Sequence, residues 1–333
     1  MNTLVKISSL ALLLIFFSVA ADAKRLKIAT LAPAGTTWMK EMKAGANLIA
    51  ERTEGRVKLK FYPGGVMGND QSVHRKIKIG QLHGGAFTPG GLQQVDSSIN
   101  ALGLPMMFKS FDEIDYVRAR MDPVIKQKME AKGFVLLGIS EGGFVRIMSK
   151  KPMQNLESIR NSKVWVPAGD RIGQIAMSAL GITPISLPIS DVFTGLQTGL
   201  IETVTVNPTS AIAFQWHTST SYMTEVPITY LIGVMAIQKK AFDKLSPGDQ
   251  QVVREEIAKV FERLDTINRS DNQAAKAALQ NQGITFVVPE PGEIERWRRI
   301  SNQSIEEMVE SGVISKEIVS QVRGHLQSFR DSQ

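Results

Sequence analysis

Cysteine is absent from the 333-residue sequence, which excludes disulfide bonds, thiol catalysis and thiolate metal sites. Histidine is scarce as well. The four histidines are scattered along the chain, and no two have the spacing of a metal-binding pair: His74, His83, His217 and His325. We therefore expect neither a metal site nor another cofactor.

A concentrated basic surface is also lacking. The formal net charge is +7, but the lysines and arginines are spread among apolar and acidic residues. A nucleic-acid-binding surface usually shows clustered basic residues interleaved with aromatic ones, and no such stripe is present. We expect no nucleic-acid partner.

The first 23 residues have the pattern of a secretory signal peptide. Lys6 supplies the positive charge, residues 10–20 are apolar apart from Ser18, and Ala21-Asp22-Ala23 is a small-residue cleavage site. The alternative, a membrane anchor, is disfavoured because the apolar run is too short to span a bilayer comfortably. The sequence thus predicts an exported chain that begins near Lys24.

Strand-like and helix-like segments alternate through most of the chain. Strands are expected at 26–30, 57–63, 84–88, 163–167, 182–188 and 201–207, with helices at 38–53, 69–82, 110–133, 171–181 and 190–199. Asp70 is the expected cap of the second helix, and Ser110 with Glu113 forms a capping box. The alternation predicts two α/β units with mainly parallel strand pairing.

The last third of the chain is mainly helical. Ser246-Pro247 is a helix start, and no proline follows until beyond Gln282. One straight helix over this segment would be about 50 Å long, which is enough to brace both units. A strand at 284–289 and helices near 292–311 and 315–329 complete the predicted order.

The stretch LGISEGGFV, residues 137–145, contains the G-x-S-x-G pattern of a serine hydrolase around Ser140. A nucleophile elbow needs a strand, a tight turn and then a helix, whereas FVRIMSKKP after the glycines favours a strand. We therefore predict a turn between two strands, with Ser140 as a loop or hinge residue. An exported serine hydrolase that uses Ser140 stays open as a third candidate function.

The segment 160–208 carries a series of spaced residues: Lys163, Val166, Pro167, Gly181, Pro184, Ser190, Val192, Leu196, Gln197, Gly199, Asn207 and Pro208. In this series the segment resembles the signature region of the DctP-type solute-binding proteins of tripartite ATP-independent periplasmic (TRAP) transporters. Segments 61–85 and 104–113 are similar to further parts of the family pattern, so the resemblance covers the chain after the signal peptide.

This resemblance implies a two-lobed α/β fold like that of periplasmic binding proteins. Each lobe is a β-sheet flanked by helices, strands cross between the lobes at a hinge, and the long helix spans both. After a signal peptide at 1–23, we expect lobe I at 24–143 plus about 232–270, and lobe II at 144–231 plus about 271–330. Closure around an interlobe cleft is the hinge mechanism of such proteins.

The family pattern also points to ligand-binding residues. The family arginine that holds a substrate carboxylate is replaced here by Trp165, which cannot form the two-pronged contact but offers an aromatic face. Asn207 matches a ligand-contacting asparagine. Arg146 lies near a second family arginine, although gap-free counting places that position on Val145.

Further candidates come from position alone. Asp170 could accept ligand hydrogen bonds or simply cap a helix, and Arg171 could replace the missing arginine. Three more residues follow strand ends that face the expected cleft: Phe87, Thr88 and Thr37.

The leading predicted function is capture of a small solute, an organic acid or a related polar or aromatic molecule, without catalysis. The resemblance implies a periplasmic location and delivery of the solute to the membrane permease of a TRAP transporter. We expect a monomer. The second candidate is a sensor that presents its ligand to a membrane kinase.

Overall fold

The computed structural model describes residues 23–333. The predicted signal peptide therefore lies outside the described residues, apart from Ala23. None of the helices in the described part combines the length and the apolar character needed to cross a membrane.

Within residues 23–333, ten strands and twelve α-helices follow one another in the alternating order that the sequence predicts, which confirms the α/β class. The strands are β1 Lys24–Thr30, β2 Val57–Tyr62, β3 Gly84–Phe87, β4 Phe134–Ser149, β5 Trp165–Pro167, β6 Ile185–Leu187, β7 Thr203–Val206, β8 Tyr222–Thr224, β9 Thr229–Gln238 and β10 Thr285–Val287. The helices are α1 Thr37–Arg52, α2 Asp70–Lys78, α3 Pro89–Leu92, α4 Phe111–Ala131, α5 Leu156–Arg160, α6 Arg171–Ala179, α7 Val192–Thr198, α8 Pro208–Ala213, α9 Lys239–Phe242, α10 Pro247–Asn281, α11 Glu293–Glu310 and α12 Lys316–Asp331.

Strand β4 joins two halves of the molecule. Its residues 134–145 pair with β9, which continues through β3 and β1 to β2. Its residues 146–149 pair instead with β7 and β8, and β8 pairs with β10. A separate two-stranded sheet, β5 with β6, lies beside β7 through a bridge from Val164 to Thr203. Strand β4 thus belongs both to the sheet that contains β9 and to the sheet that contains β7 and β8.

The predicted turn at 137–145 is wrong, because β4 runs through this segment as one strand. The glycines lie at two β-bulges, one between Leu136 and Gly138 and the other between Glu141 and Gly143. Gly143 has a φ of +90°, which a residue with a side chain rarely adopts. A bulge bends a strand and increases its twist, so the glycines mark a bend and not a chain reversal.

The prediction of mainly parallel pairing is also wrong for the longest strands. Both neighbours of β9 are antiparallel to it, as are β7 and β8 on β4. Parallel pairs connect β1 with β2 and β3, β8 with β10, and β5 with β6. Strands β4 and β9 run in opposite directions, because the chain passes from one half to the other along β4 and returns along β9.

Side-chain caps fix most helix starts. Ser110 accepts a hydrogen bond from the Glu113 N–H, as expected, but the Glu113 carboxylate accepts from the Lys109 N–H rather than closing the box. Asn69, and not Asp70, caps α2 by accepting from the Ser72 N–H. Asp70 is the first residue of the helix, one position later than a cap.

Helix α10 has 35 residues and touches both halves, as predicted from the sequence after Ser246. Its first half packs on α1, where a Cβ added to Gly45 would meet Val260 Cγ2 at 2.5 Å. Its last turns bury Leu279 in the core of the other half. The helix is a brace along the side of the two-lobed fold.

Candidate functional site

A cavity of about 820 Å³ lies between the two halves. One wall is made by the loops after β1 and β3, and the opposite wall by β5, β7 and the first turns of α6 and α8. The middle of β4 and the start of β9 close its base. The cavity therefore sits at the ends of strands from both sheets, where ligands bind in open α/β folds.

The lining is mostly apolar and rich in aromatic rings. The rings are those of Trp38, Phe87, Trp165, Phe214, Trp216, Tyr230 and Trp297. Among the described residues that line the cavity there is no lysine, arginine or histidine, while Glu141, Asp170 and Asp271 are acidic. Such a lining favours contact with an apolar body and offers no full positive charge to an anion.

Trp165 lines the cavity from β5 and is only 3% exposed. Its indole N–H donates to the Leu187 carbonyl at 2.9 Å, so its one polar atom already has a partner. Its ring meets Trp216 edge to face, with centroids 5.3 Å apart. The residue can offer a ligand part of its ring and no free hydrogen-bond donor.

Asn207 lines the cavity at the end of β7 and caps α8. Its side-chain oxygen accepts from the Ser210 N–H at 3.0 Å, and its amide nitrogen donates to the Gly142 carbonyl. Both ends of the amide are thus bonded within the protein. The structure places Asn207 as a tie between β4 and the opposite wall, in addition to its place in the lining.

Asp170 caps α6 by accepting from the Gly173 N–H at 3.0 Å, and it also lines the cavity. Burial raises the pKa of its carboxyl above the ordinary range, and the hydrogen bonds from Gly173 and Ile172 partly oppose this effect. Asp170 thus caps α6, as the sequence allowed, and one face of the residue lies toward the cavity.

Three candidates lie on the wall formed by the first half. Thr37 begins α1, after Thr36 has capped that helix by accepting from the Met39 N–H. Phe87 ends β3, is 4% exposed and lies beside the His74 ring. Thr88 follows it at the start of α3. All three line the cavity.

Neither candidate arginine is part of the lining. Val145 and Ile147 face the cavity from β4, and Arg146 between them faces the other side, since successive strand side chains alternate. Burial lowers the pKa of Arg146, an effect that nearby Glu225 opposes. Arg171 is exposed at the start of α6. The structure therefore brings together six of the eight candidates and separates these two from them.

A second, smaller pocket of about 30 Å³ lies at the edge where the two halves meet. Asp70 and Thr88 line it from the first half, and Asp170 and Pro167 from the other. Burial raises the pKa of the Asp70 carboxyl to about 6, although its bond with Thr88 acts in the opposite direction. Gln93 donates to the Gly169 carbonyl across the same edge.

The bulge of β4 is held by polar side chains of α10. Asn268 donates to the Glu141 carbonyl at 2.5 Å, and Asn272 donates to the Gly142 carbonyl at 2.9 Å. The Asp265 carboxylate accepts from the Glu141 N–H at 2.7 Å. Three of the backbone groups that the bulge frees from the strand ladder are thus satisfied by α10.

The Glu141 side chain is fully buried beneath this bulge. Its carboxylate accepts from Arg269 at 2.8 Å and from the Tyr230 hydroxyl at 3.0 Å. Arg269 also donates to Asp115 of α4. Burial and the adjacent Glu141 charge raise the pKa of Tyr230 well above its ordinary value, so the phenol stays a donor.

The surroundings of Ser140 are not those of a hydrolase nucleophile. It is 2% exposed within β4, and none of the hydrogen bonds of the described residues joins its hydroxyl to a histidine. His74 and His217 bond instead to backbone carbonyls, of Gly91 and Ala211. Across residues 23–333, no three acidic or histidine side chains converge to hold a metal ion.

Sequence reasoning missed several residues of the site. Asn100 lies in the 3₁₀ helix Ser97–Gly103 and Thr209 in α8, and both line the cavity. The Asn100 amide nitrogen and the Thr209 hydroxyl lack hydrogen-bond partners in the described structure. Thr209 directly follows the Asn-Pro pair of the signature segment, and this position was the one available signal.

Residues 28–311 match the protein family described as bacterial extracellular solute-binding protein, family 7, or DctP. The sialic acid-binding periplasmic protein SiaP of Vibrio cholerae is 23% identical over 302 residues, which are 87% of this chain and 91% of that protein. An uncharacterized protein of Salmonella typhimurium, YiiZ, is 23% identical over 210 residues, and the chain spans 63% of its length.

A solved structure gives the same fold. A TRAP periplasmic solute-binding protein from Xanthobacter autotrophicus, with bound β-D-galacturonate, superposes with a TM-score of 0.83 at 18% identity. The alignment covers 91% of this chain and 99% of that protein. At this identity the likeness shows the fold, which is two-lobed and includes the long helix α10.

Proposed function

Because the chain belongs to the DctP family of TRAP solute-binding proteins, we propose that it is the extracytoplasmic subunit of a TRAP transporter. In this role it captures a small solute in the interlobe cavity and delivers it to the membrane permease. The observation that carries the proposal is the cavity of about 820 Å³ between two halves joined by β4. The family consists of solute-binding proteins, so the chain is not an enzyme.

Closure of the lobes about β4 is the mechanism that the geometry supports. We assign lobe I to 24–143 plus about 232–270 and lobe II to 144–231 plus about 271–330. The bulge at Glu141–Gly143 lies at the first of these boundaries, and a bulge beside a glycine with positive φ is a place where a strand bends. Binding then shifts the protein toward the closed arrangement.

The relatives support a small organic molecule as the solute. The names of the matching proteins specify sialic acid and galacturonate as their ligands. A cavity of about 820 Å³ is within the range of ordinary small-molecule sites, so a molecule of that order of size fits here.

Export and partner choice can be tested in the producing cell. We expect the periplasmic form to begin at Lys24, which mass spectrometry of the purified protein measures. A photoreactive residue at Ile79 or Leu200, which are 77% and 50% exposed and lie on different lobes, is expected to cross-link to a TRAP permease. Cross-linking to a membrane kinase in place of a permease would support the sensor alternative.

A further inference from the structure

We propose that the cavity selects a solute with an apolar or aromatic body and no negative charge. This inference rests on the proposed solute-binding function and specifies its ligand class. It departs from the acids that the related proteins hold.

The first argument is the charge of the lining. None of the described lining residues is a lysine, arginine or histidine, and three are acidic. Glu141 is neutralised by Arg269, but Asp170 and Asp271 have no ion-pair partner within 4 Å in the described structure. A carboxylate in this cavity would meet the Asp271 carboxylate and no lysine, arginine or histidine of the lining.

Arg146 faces away from the cavity on β4, and two arginines near the β4 bulge are held by carboxylates. Arg269 is held by Glu141 and Asp115, and its guanidinium also lies over the Phe111 ring. Arg118 is held by Asp122 and Asp265. Swinging either cation to a ligand would leave a buried or partly buried carboxylate without its partner, which is unfavourable.

Helix N-termini do not replace the missing cation. Helices α1, α6 and α8 begin at the cavity, and a free helix N-terminus can bind a carboxylate through its N–H groups. In each of the three, a side-chain oxygen of the cap already accepts from the third N–H: Thr36 from Met39, Asp170 from Gly173, and Asn207 from Ser210. One of these caps is itself an acid.

The groups that remain suit an uncharged or cationic ligand. Aromatic rings from both halves surround the cavity, and they attract apolar groups and cations alike. Asn100 of one half and Thr209 of the other each keep one polar atom without a protein partner. Both are hydrogen-bond donors suited to the carbonyl or hydroxyl oxygen of a neutral molecule.

A matched series on one ring tests the inference. Phenylacetamide, phenethylamine and phenylacetate share a body and differ in charge, and galacturonate serves as the sugar acid. We expect titration calorimetry on the mature chain to show the amide or the amine binding at least about tenfold more tightly than either acid, because a buried carboxylate needs a partner. Equal or tighter binding of an acid would overturn the inference and leave the proposed function standing.

Failure of the whole series to bind would also overturn the ligand class. The permease cross-link measured at Ile79 or Leu200 is independent of the series, so it shows whether the proposed function fails as well. The two conclusions are thus separable.

Two variants introduce the opposite preference. Trp165→Arg is expected to gain at least about tenfold in affinity for phenylacetate over the uncharged control Trp165→Leu, because a guanidinium can pair with the carboxylate. Asp271→Asn, a half-buried lining position on α10, removes one negative charge with little change of shape. This variant should reduce the difference in affinity between phenylacetamide and phenylacetate. An unchanged difference in both variants would contradict the charge argument.

Discussion

Replacing Arg269 by methionine would leave the Glu141 carboxylate buried without its cation. The Glu141 side chain has no exposed surface, and Arg269 donates to both of its oxygens at 2.8 to 3.0 Å. Breaking a fully buried ion pair by removing one partner costs about 3–5 kcal/mol, but the Arg269 side chain is 36% exposed, so solvent screening reduces the expected loss to about 1–3 kcal/mol. We expect the free energy of unfolding, measured by urea denaturation at pH 7.5, to fall by about that amount.

Two controls separate this cause from a general loss of contacts. Asp115→Asn removes the exposed partner of the same arginine, and an exposed pair is worth about 0–1 kcal/mol, so this variant should be nearly as stable as the wild type. The double variant Glu141→Gln with Arg269→Met removes the buried charge together with its cation. It should recover a large part of the loss, since a neutral amide costs less to bury than a charge.

A loss in Arg269→Met no larger than the loss in Asp115→Asn would refute the account of the β4 bulge as a site of buried charge.

Three more outcomes are expected. Burial raises the pKa of Asp70 from 3.8 to about 6. The protonated carboxyl therefore contributes stability below pH 4, and this contribution is lost as the pH rises to 6. Thermal unfolding should show that pH dependence in the wild type and not in Asp70→Asn. Gly143→Ala, at a φ of +90° and with Asn272 2.9 Å from the new Cβ, should cost about 1–3 kcal/mol in urea unfolding, whereas Gly35→Ala, with open space around it, should be near neutral. A serine-reactive fluorophosphonate should leave Ser140 unlabelled, because the residue is 2% exposed and lacks a base, and labelling would contradict this.

The order of elements could be predicted because local signals define it. Caps such as Ser246 and Ser110, and the change between strand and helix periodicity, depend on residues a few positions apart. The strand through 137–145 was missed for the same reason. Two glycines and a serine are typical of a turn, and only the pairing with β9, about 90 residues later, keeps the segment extended.

The site could be predicted in outline only. Of the six lining candidates, Trp165 and Asn207 came from the family resemblance, and the other four came from their position at strand ends or a helix start, which follows from the fold. Trp165 marked the missing arginine, but the sequence did not show that its N–H bonds to Leu187. Arg146 depended on a register that one residue reverses. The contacts of Arg269 with Glu141 join positions 128 residues apart, and no local pattern encodes them.

The place of β4 at the base of the cavity has a mechanical consequence. Under the proposed closure about β4, a solute resting on residues 140–142 lies at the rotation axis, where a rotation produces the smallest displacement. Trp38 and Phe214, on opposite walls, move through a longer arc for the same rotation. How deeply a molecule rests against β4 therefore changes the closing angle little. Its width between Trp38 and Phe214 sets how far the lobes can close.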